Sequence, residues 1–321
     1  MRNYEYEDNM NILVGYTGFV GSNIYEKGNF DRVFNSKNIE DAYGLEPDLL
    51  VYAGLRAEKY LANRAPERDM EQIVQAAENI RKIAPKKLVL ISTIDIFRDP
   101  QDADEHTLVD TGGLHAYGLN RYRLECMVRE AYPDALMIRL PALFGRNIKK
   151  NFIYDYLKRI PFMLTREKYE ELCSREERLH AYYVLQENGY YRCRELNPEE
   201  ERELRKMFQQ LGFSALYFTD SRSRYQFYPL GRLWGDIQTA LQAGLTLWHP
   251  AVEPVSAGEL YESLEGERFV NELPGVPATY DYKTLYAGNF GGSEGYIMDK
   301  AQVIGEIRAF VSEEMRERDE E

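Results

Sequence analysis

The sequence has few of the residues that build disulfide frameworks and metal centres. Its 321 residues include three cysteines, Cys126, Cys173 and Cys193, and four histidines. An odd number of widely spaced cysteines is typical neither of a disulfide framework nor of a zinc site, and the histidines show no metal-ligand spacing. We therefore expect no metal ion, and reduced thiols as in the cytoplasm.

Positive charge and long apolar segments are also scarce. The chain has 40 Lys and Arg residues against 53 Asp and Glu residues, a net charge of −13. Such a balance repels nucleic-acid phosphates, and no basic stripe interleaved with aromatic residues offsets it. No apolar run approaches the roughly 20 residues of a membrane helix, and residues 1–10 are polar and acidic, unlike a signal peptide. We expect a cytoplasmic protein that binds neither nucleic acid nor membranes; a homodimer stays open.

The first half of the chain alternates between short apolar runs and helical patterns. Alternation of this kind indicates a parallel sheet covered by helices on both faces, and right-handed crossovers then make it a doubly wound, Rossmann-type α/β fold. The predicted strands are residues 11–16, 32–35, 48–53, 87–92 and 135–140. The predicted helices are 22–27, 68–83 and 117–131.

The composition changes after about Asn151. We assign residues 10–150 to the Rossmann domain and 151–321 to a smaller, partly helical lobe for the substrate, some of whose segments are expected to return to the sheet. A charged stretch over 166–212 is interpreted as a helical insertion. Within it, Asn197 can cap a helix over 198–211 that Gly212 ends. A terminal helix is predicted over 300–314.

A glycine-rich loop joins the first strand to the first helix. Gly15, Gly18 and Gly21 stand in a G-x-x-G-x-x-G spacing. The first glycine permits a tight turn, the second lets the backbone approach a pyrophosphate, and the third lets helix and strand pack closely. We therefore predict a dinucleotide site that also includes Thr17, Phe19 and Val20, with Ala53 and Gly54 at the end of the third strand. The alternative is a structural glycine turn.

The loop after the second strand favours NADP over NAD. An NAD enzyme usually has Asp or Glu there for the ribose hydroxyls, but this chain has Asn35, Ser36 and Lys37. Ser36 and Lys37 can hold the additional phosphate of NADP. The alternative is an ordinary polar loop.

Two further motifs follow the fourth strand. That strand ends in Ser92-Thr93, and downstream Tyr117 is followed four residues later by Arg121. With the glycine loop and the segment 138–145 (IRLPALFG), these motifs resemble the extended short-chain dehydrogenase/reductases. The resemblance is to the branch of sugar-nucleotide epimerases, dehydratases and 4-dehydrorhamnose reductases. It is specific over residues 10–155 and thin beyond them.

The resemblance implies a role for each of these residues. Tyr117 would be the catalytic acid/base, the hydroxyl of Thr93 would hold the substrate oxygen, and Tyr117 and Arg121 would border the cofactor as well. Hydride transfer to or from a carbonyl needs a proton partner at the oxygen. A nearby cation lowers the pKa of a tyrosine from its usual value of about 10. A spacing of four residues puts positions 117 and 121 on one helix face, although a plain surface pair has the same spacing.

Two positions depart from the family pattern. Arg121 stands where the family has Lys; Arg is always charged, but its planar head is a poor mimic of an ammonium that contacts both ribose and tyrosine. The 4,6-dehydratases of the family carry an Asp-Glu pair after the Thr, where this chain has Ile94 and Asp95. Because Ile cannot donate a proton, dehydration by that mechanism is not expected, and a reductase or an epimerase remains.

Fewer sequence features indicate which residues bind the substrate. Asn151 stands near the place where family members contact the diphosphate of a nucleotide sugar. Arg224 is a candidate for a phosphate, and Gln226 and Tyr228 for hydrogen bonds to a sugar. The same alternation around Tyr225 and Phe227 also fits a half-buried strand.

The leading hypothesis is an NAD(P)-dependent oxidoreductase or epimerase that acts on a carbonyl or hydroxyl of a nucleotide-linked sugar. One alternative is a non-catalytic cofactor-binding protein, with Arg121 marking lost chemistry. Another is a carbonyl reductase whose substrate is not a sugar, since one fold serves many substrates.

Overall fold

A computed structural model of the chain describes residues 10–320, which form two compact units. The first unit consists of 10–147, Arg224–Val255 and Thr279–Ile304. The second consists of Ile148–Ser223, Ser256–Ala278 and the residues from Gly305 onward. The chain therefore passes between the units several times, and two segments of the predicted 151–321 lobe belong to the first unit.

The first unit contains most of the strands. Its strands are β1 (Asn11–Val14), β2 (Arg32–Phe34), β3 (Leu49–Tyr52), β4 (Lys87–Thr93), β5 (Leu136–Leu140), β6 (Ala142–Phe144), β10 (Arg224–Tyr225), β11 (Phe227–Pro229) and β12 (Leu247–Trp248). Its helices are α1 (Phe19–Lys27), α2 (Lys59–Arg64), α3 (Pro66–Ile83), α4 (Ala116–Ala131) and α8 (Leu233–Gln242). The predicted strands and helices are present, with α1 beginning three residues earlier than expected.

The strands of the main sheet are parallel and follow the order β12-β5-β4-β3-β1-β2 within the described residues. The order reverses between β1 and β3, where the chain turns to opposite sides of the sheet. In open α/β sheets, ligands bind outside the carboxyl ends of the strands at such a switch point. The predicted doubly wound α/β class is confirmed, and the sixth strand, β12, comes from the second half of the chain.

Alternate residues of the strands are buried on opposite faces. On one face, Ile12, Leu50 and Leu88 pack with Ile73 of α3 and Leu124 of α4 in one apolar cluster. The intervening residues of the strands are equally buried and face the other side; they include Leu13, Val51 and Val89. Strands buried on both faces explain why their sequences are continuous apolar runs and do not alternate.

A buried ionic network joins β4, α4 and β5. Arg139 of β5 is paired with Glu125 of α4 at 2.8 Å, and both side chains are almost inaccessible to solvent. The hydroxyl of Ser92, at the end of β4, donates to the same carboxylate at 2.5 Å. Burial, and then the guanidinium of Arg139, lower the pKa of His249 to about 3. The neutral ring therefore accepts a hydrogen bond from Arg139 at 3.2 Å through Nε2, and the network fixes the end of β4.

The second unit combines helices with a small antiparallel sheet. Its helices are α5 (Phe152–Lys158), α6 (Arg166–Arg175), α7 (Pro198–Leu211), α9 (Ala257–Glu265) and most of α10 (Lys300–Glu320). Its sheet has the order β7-β9-β8 and consists of β7 (Met163–Leu164), β8 (Tyr183–Leu185) and β9 (Tyr191–Cys193). A further short strand, β13 (Val255–Ser256), precedes α9.

The stretch predicted as a helical insertion over 166–212 is therefore only partly helical. The hairpin β8–β9 turns at Asn188-Gly189, where Gly189 has φ of +83°. Asn-Gly between β-branched and aromatic residues is a strong hairpin signal, and the high charge of the stretch concealed it. Helix α7 has the predicted bounds, with a capping box between Asn197 and Glu200 and Gly212 in the left-handed conformation at its end.

Within residues 10–320, no helix combines the length and the apolar character that crossing a bilayer requires.

The packing of the glycine loop predicts a large effect of one methyl group. A Cβ at Gly21 would overlap the carbonyl oxygen of Gly15, which is backbone and cannot rotate away. We expect Gly21→Ala to lower the free energy of unfolding by about 3 kcal/mol or more in urea denaturation. Gly235→Ala is the matched control, because a Cβ there meets nothing within 4 Å inside a helix, so it should stabilise by up to about 1 kcal/mol. Equal stabilities of the two variants would contradict this packing.

The ionic network predicts a similar loss. Glu125→Gln leaves the guanidinium of Arg139 buried without a counter-charge, and we expect a loss of about 3 kcal/mol or more in the same measurement. Glu170→Gln breaks an exposed pair with Arg166 and should change stability by less than about 0.5 kcal/mol. If Glu125→Gln is as mild as Glu170→Gln, the network does not stabilise the fold.

Candidate active site

Two glycines of the loop after β1 are required by backbone packing. Gly15 has φ of +94°, and a Cβ there would collide with the carbonyl oxygen of Ala53, at the end of β3. Gly21 lies in α1, and a Cβ on it would overlap the carbonyl oxygen of Gly15. Gly54 also lies close, since a Cβ on it would contact Val14 at 3.1 Å. The loop thus presses the start of α1 against the switch point between β1 and β3.

Gly18 differs from the other two glycines. It is exposed, has a negative φ of −83°, and a Cβ on it would meet only the carbonyl oxygen of Gly15, at 3.3 Å. Packing therefore does not demand a glycine here. Gly18 precedes the first turn of α1, whose N–H groups point out of the helix, with Thr17, Phe19 and Val20 around it. The missing side chain leaves a cradle that fits a pyrophosphate at the positive end of a helix.

The loop after β2 lies at the same edge of the sheet. The backbone N–H of Gly15 donates to the carbonyl of Phe34 at 2.7 Å, which fixes the end of β2 beside the glycine loop. The side chain of Asn35 then accepts from the N–H of Lys37 at 2.9 Å in a tight turn. Ser36 and Lys37 are exposed on this turn, so their side chains are available to a ligand.

Thr93 and Tyr117 meet at the carboxyl end of β4. Thr93 is the last residue of β4, and Tyr117 lies in the first turn of α4. The side chain of Thr93 lies close enough to the Tyr117 hydroxyl to lower the pKa of the phenol. A Cβ at Gly118 would overlap the carbonyl oxygen of Asp95, so the glycine after Tyr117 lets α4 approach the turn after β4.

Burial dominates the acidity of Tyr117. It raises the pKa of the phenol above its ordinary value of 10.0; Arg121 and the side chain of Thr93 lower it, whereas Asp95 and Asp69 raise it. The net direction is upward. Tyr117 is therefore a protonated hydroxyl at neutral pH in this structure.

Arg121 is fully engaged by its neighbours. Its Nη1 is paired with the carboxylate of Asp69 on α3, and both side chains are buried. Its Nη2 donates to the carbonyl of Arg56 at 2.8 Å, and its guanidinium lies 4.2 Å from the centroid of the Tyr117 ring. Asn120 donates to the same carboxylate at 2.9 Å. The arginine thus contacts the ring of Tyr117 while its charge is balanced by Asp69.

A second ion pair lies beside the pair of Thr93 and Tyr117. Asp95 accepts from Lys59 of α2 at 2.9 Å, and its backbone N–H donates to Thr93 at 3.2 Å. Tyr280 lies beside Asp95, and burial followed by this carboxylate raises its pKa to about 12. Lys59 and Tyr280 lie 36 and 185 positions from Asp95, and no local pattern in the sequence links them to it.

Helix α2 also touches the start of α4. The N–H of Tyr117 donates to the side chain of Asn63 at 2.9 Å. His115 caps α4, its Nδ1 accepting from the N–H of Gly118 at 3.0 Å. Burial and Lys59 lower the pKa of His115, against an opposing effect of Asp95, so this histidine is neutral at neutral pH.

Two of the predicted substrate residues lie in the core. Gln226 donates to the carbonyls of Val252 and Tyr282 at 2.7 and 2.9 Å and accepts from the N–H of Tyr282. Tyr228 is fully buried and donates to Asp236 at 2.6 Å. Both side chains stabilise the fold, and the structure does not support the predicted hydrogen bonds to a sugar. The alternation predicted a half-buried strand, but Phe227 is as buried as Gln226 and Tyr228, so both faces are covered here.

The other two substrate candidates are placed differently. Asn151 caps α5 in the second unit, where its side-chain oxygen accepts from the N–H groups of Ile153 and Tyr154 at 3.0 and 3.3 Å. Arg224 is partly exposed in β10 of the first unit, and its carbonyl accepts from Tyr280 at 3.0 Å. Arg224 thus lies one contact away from the residue that lies beside Asp95.

Among the described residues, no group of three or more His, Cys, Asp or Glu side chains is arranged to hold a metal ion.

Comparison by sequence gives no relative. No protein-family model matches the chain, and no curated protein matches it by sequence. Likeness therefore has to be sought in the fold.

Comparison by structure gives many relatives. The dTDP-4-dehydrorhamnose reductase of Bacillus anthracis, solved with NADP, has a TM-score of 0.60 at 15% identity, covering 95% of this chain and 98% of that chain. The Bordetella bronchiseptica enzyme WbmG, solved with NAD and UDP, has a TM-score of 0.64 at 13% identity, covering 94% and 93%. The UDP-glucose 4-epimerase of Thermotoga maritima, solved with UDP-glucose, has a TM-score of 0.60 at 14% identity, covering 96% and 99%.

These structures span nearly the whole of both chains, and they are reductases and epimerases of the kind that the glycine loop, Thr93 and Tyr117 resemble. The chain therefore has the fold of the extended short-chain dehydrogenase/reductases.

Proposed function

We propose that this protein is an NAD(P)-dependent oxidoreductase or epimerase acting on a carbonyl or hydroxyl of a nucleotide-linked sugar. One observation carries the proposal. The open start of α1 at Gly18 and the neighbouring side chains of Thr93 and Tyr117 lie at the same edge of one parallel sheet. A dinucleotide that binds its pyrophosphate at α1 extends along this edge toward Tyr117.

The residues around the switch point fit a dinucleotide. Gly15 and Gly21 shape the loop, and Gly18 leaves room for the phosphates in front of α1. Asn35, Ser36 and Lys37 would surround the adenosine ribose; with a lysine and no carboxylate at these three positions, they favour the additional phosphate of NADP. Ala53 and Gly54 would line the opposite side. When bound, a nicotinamide cofactor supplies or accepts a hydride at the reacting carbon of the substrate.

Tyr117 is proposed as the proton-transferring group, with Thr93 holding the substrate oxygen. Because burial raises its pKa, Tyr117 enters the reaction protonated at neutral pH. A protonated phenol can donate to a carbonyl oxygen as the carbon is reduced, which is the direction of a reductase. An epimerase needs the deprotonated form as well, for its oxidative half reaction. Within the proposed activity, the protonated form of Tyr117 is the one that carbonyl reduction uses.

The substrate class rests on the structural relatives. The Bordetella enzyme was solved with UDP and the Thermotoga enzyme with UDP-glucose, and both share this fold over nearly their full lengths. Arg224 and Asn151 remain the proposed contacts to such a substrate, whereas Gln226 and Tyr228 are left out because they are committed to the core.

A non-catalytic cofactor-binding protein is the second candidate. The engagement of Arg121 by Asp69 favours it, because a neutralised arginine lowers the pKa of Tyr117 less than a free lysine would. Both candidates bind a dinucleotide; they differ in whether Tyr117 transfers a proton.

Cofactor binding is tested by calorimetric titration with NADPH and NADH after removal of any cofactor carried through purification. We expect NADPH to bind more tightly than NADH. Gly18→Asp should weaken binding at least about 100-fold, since it puts a negative charge where the phosphates are proposed to lie.

The structure supplies a control for this variant. A Cβ at Gly18 would lie 3.3 Å from the carbonyl oxygen of Gly15, a tight contact that a small shift of the backbone relieves. The thermal unfolding midpoint should therefore stay within a few degrees of wild type, and Gly235→Ala should bind as wild type does. Unchanged binding by a folded Gly18→Asp protein, or no binding of either dinucleotide to wild type, would remove the basis of the proposal.

Catalysis is tested with Tyr117→Phe. It keeps the ring over which Arg121 lies but removes the transferable proton. We expect the rate of NADPH-dependent reduction, measured over a panel of keto-sugar nucleotides and uncharged ketones, to fall about 100- to 10,000-fold, with NADPH affinity unchanged within about threefold. A wild-type protein that binds NADPH but reduces nothing in the panel, as Tyr117→Phe does, would favour the non-catalytic candidate. Activity on the uncharged ketones alone would indicate a carbonyl reductase whose substrate is not a sugar.

A further inference from the structure

The site contains two ion pairs, which are held by different helices. Asp69 of α3 is paired with Arg121 of α4, and Asp95, in the turn after β4, is paired with Lys59 of α2. Each pair places one carboxylate close enough to act on the phenol. Each of these two carboxylates near Tyr117 is thus paired with one cation.

The two pairs differ in exposure. The side chains of Arg121 and Asp69 are 5% and 8% exposed, so this pair is a fixed part of the core. Those of Lys59 and Asp95 are 41% and 22% exposed, so this pair is open to solvent. Lys59 on α2 is therefore free to move when the charge on Tyr117 changes, whereas the buried Arg121 on α4 is not.

A chain of contacts connects Lys59 to the hydroxyl of Tyr117. Lys59 Nζ lies 2.9 Å from Asp95, the N–H of Asp95 donates to Thr93 at 3.2 Å, and the side chain of Thr93 lies beside the Tyr117 hydroxyl. Without Lys59, the Asp95 carboxylate would face the phenol uncompensated, and a negative charge there opposes loss of the proton. Tyr280 lies beside Asp95, and neutral His115 lies with its ring centre 6.3 Å from that of Tyr117; neither supplies a positive charge.

We propose that Lys59 is a positioning residue that takes over, from α2, the electrostatic role of the lysine that α4 lacks: it neutralises Asp95 and so keeps the hydroxyl of Tyr117 able to release its proton. The inference rests on the proposed role of Tyr117 in the reaction, and it names the residue that sets the protonation of that site. When Tyr117 gives its proton to the substrate oxygen, the phenolate left behind is stabilised by Lys59 through Asp95 and is reprotonated from water.

The test measures the titration of Tyr117 directly, without cofactor or substrate. The chain is labelled with a fluorinated tyrosine, whose titration falls at lower pH, and followed by 19F NMR; the resonance is assigned with Tyr117→Phe. Lys59→Met should raise the pKa of Tyr117 by about one unit, and Lys59→Arg should leave it near wild type. Asp95→Asn should lower it, and the double variant Lys59→Met/Asp95→Asn should behave as Asp95→Asn does, because Lys59 acts through that carboxylate.

A surface pair of similar geometry is the matched control. Lys86 lies 2.8 Å from Asp48, so Lys86→Met removes an equal charge from an equivalent pair and should not move the resonance of Tyr117. If Lys59→Met shifts the titration no more than Lys86→Met does, or if its shift persists unchanged in the background of Asp95→Asn, the proposal is wrong. A shift in a protein that reduces none of the panel substrates would support the role of Lys59 and reject the proposed function separately.

Discussion

The contact between the glycine loop and the end of β3 is the constraint on which the rest of the site depends. Gly15 lies so close to the carbonyl of Ala53 that no side chain fits between them, and Gly21 closes on Gly15 from α1. These contacts pull the start of α1 onto the reversal of strand order between β1 and β3. Gly18 is then left facing outward, free of the packing that fixes its neighbours, where the partial charge of the helix is open to an anion.

The far side of the site is held by different forces. Ser92 binds the Glu125 carboxylate, which is paired with Arg139, and this buried network holds β4 against α4 and β5. The next residue along the strand is Thr93, which meets Tyr117. Backbone packing thus sets one end of the site and a buried ionic network sets the other. A change at either end would move the two halves of the candidate site relative to one another.

Patterns among neighbouring residues of the sequence predicted the strands, the helix ends and the motifs that depend on those residues alone. Apolar runs located five of the six strands of the main sheet, and the cap at Asn197 with the glycine at 212 gave the bounds of α7 to the residue. The motifs also singled out Thr93, Tyr117 and Arg121, which the structure brings together. The hairpin β8–β9 was missed although Asn188-Gly189 marks it, because the charge of the surrounding segment was weighed as a helix signal.

Contacts distant in the sequence could not be predicted in this way. The alternation around Gln226 indicates which residues share a face, but burial of that face depends on Val252 and Tyr282, more than 20 positions away. The partners of Arg121 are equally remote, since Asp69 belongs to a different helix.

Contacts with residues that are distant in the sequence also explain why α4 has an arginine where the family has a lysine. An arginine at position 121 can reach both the Asp69 carboxylate and the Arg56 carbonyl while its plane lies over the Tyr117 ring. A lysine is a point charge without that fork, so it could not make the same set of contacts from this position. The arginine therefore fixes α4 to α3 and to the loop after β3. A side chain held by these contacts cannot easily move to stabilise a negative charge that forms on Tyr117. The charge that responds to Tyr117 has to come from outside α4, and the described structure offers Lys59, on a short helix that the sequence pattern did not reveal.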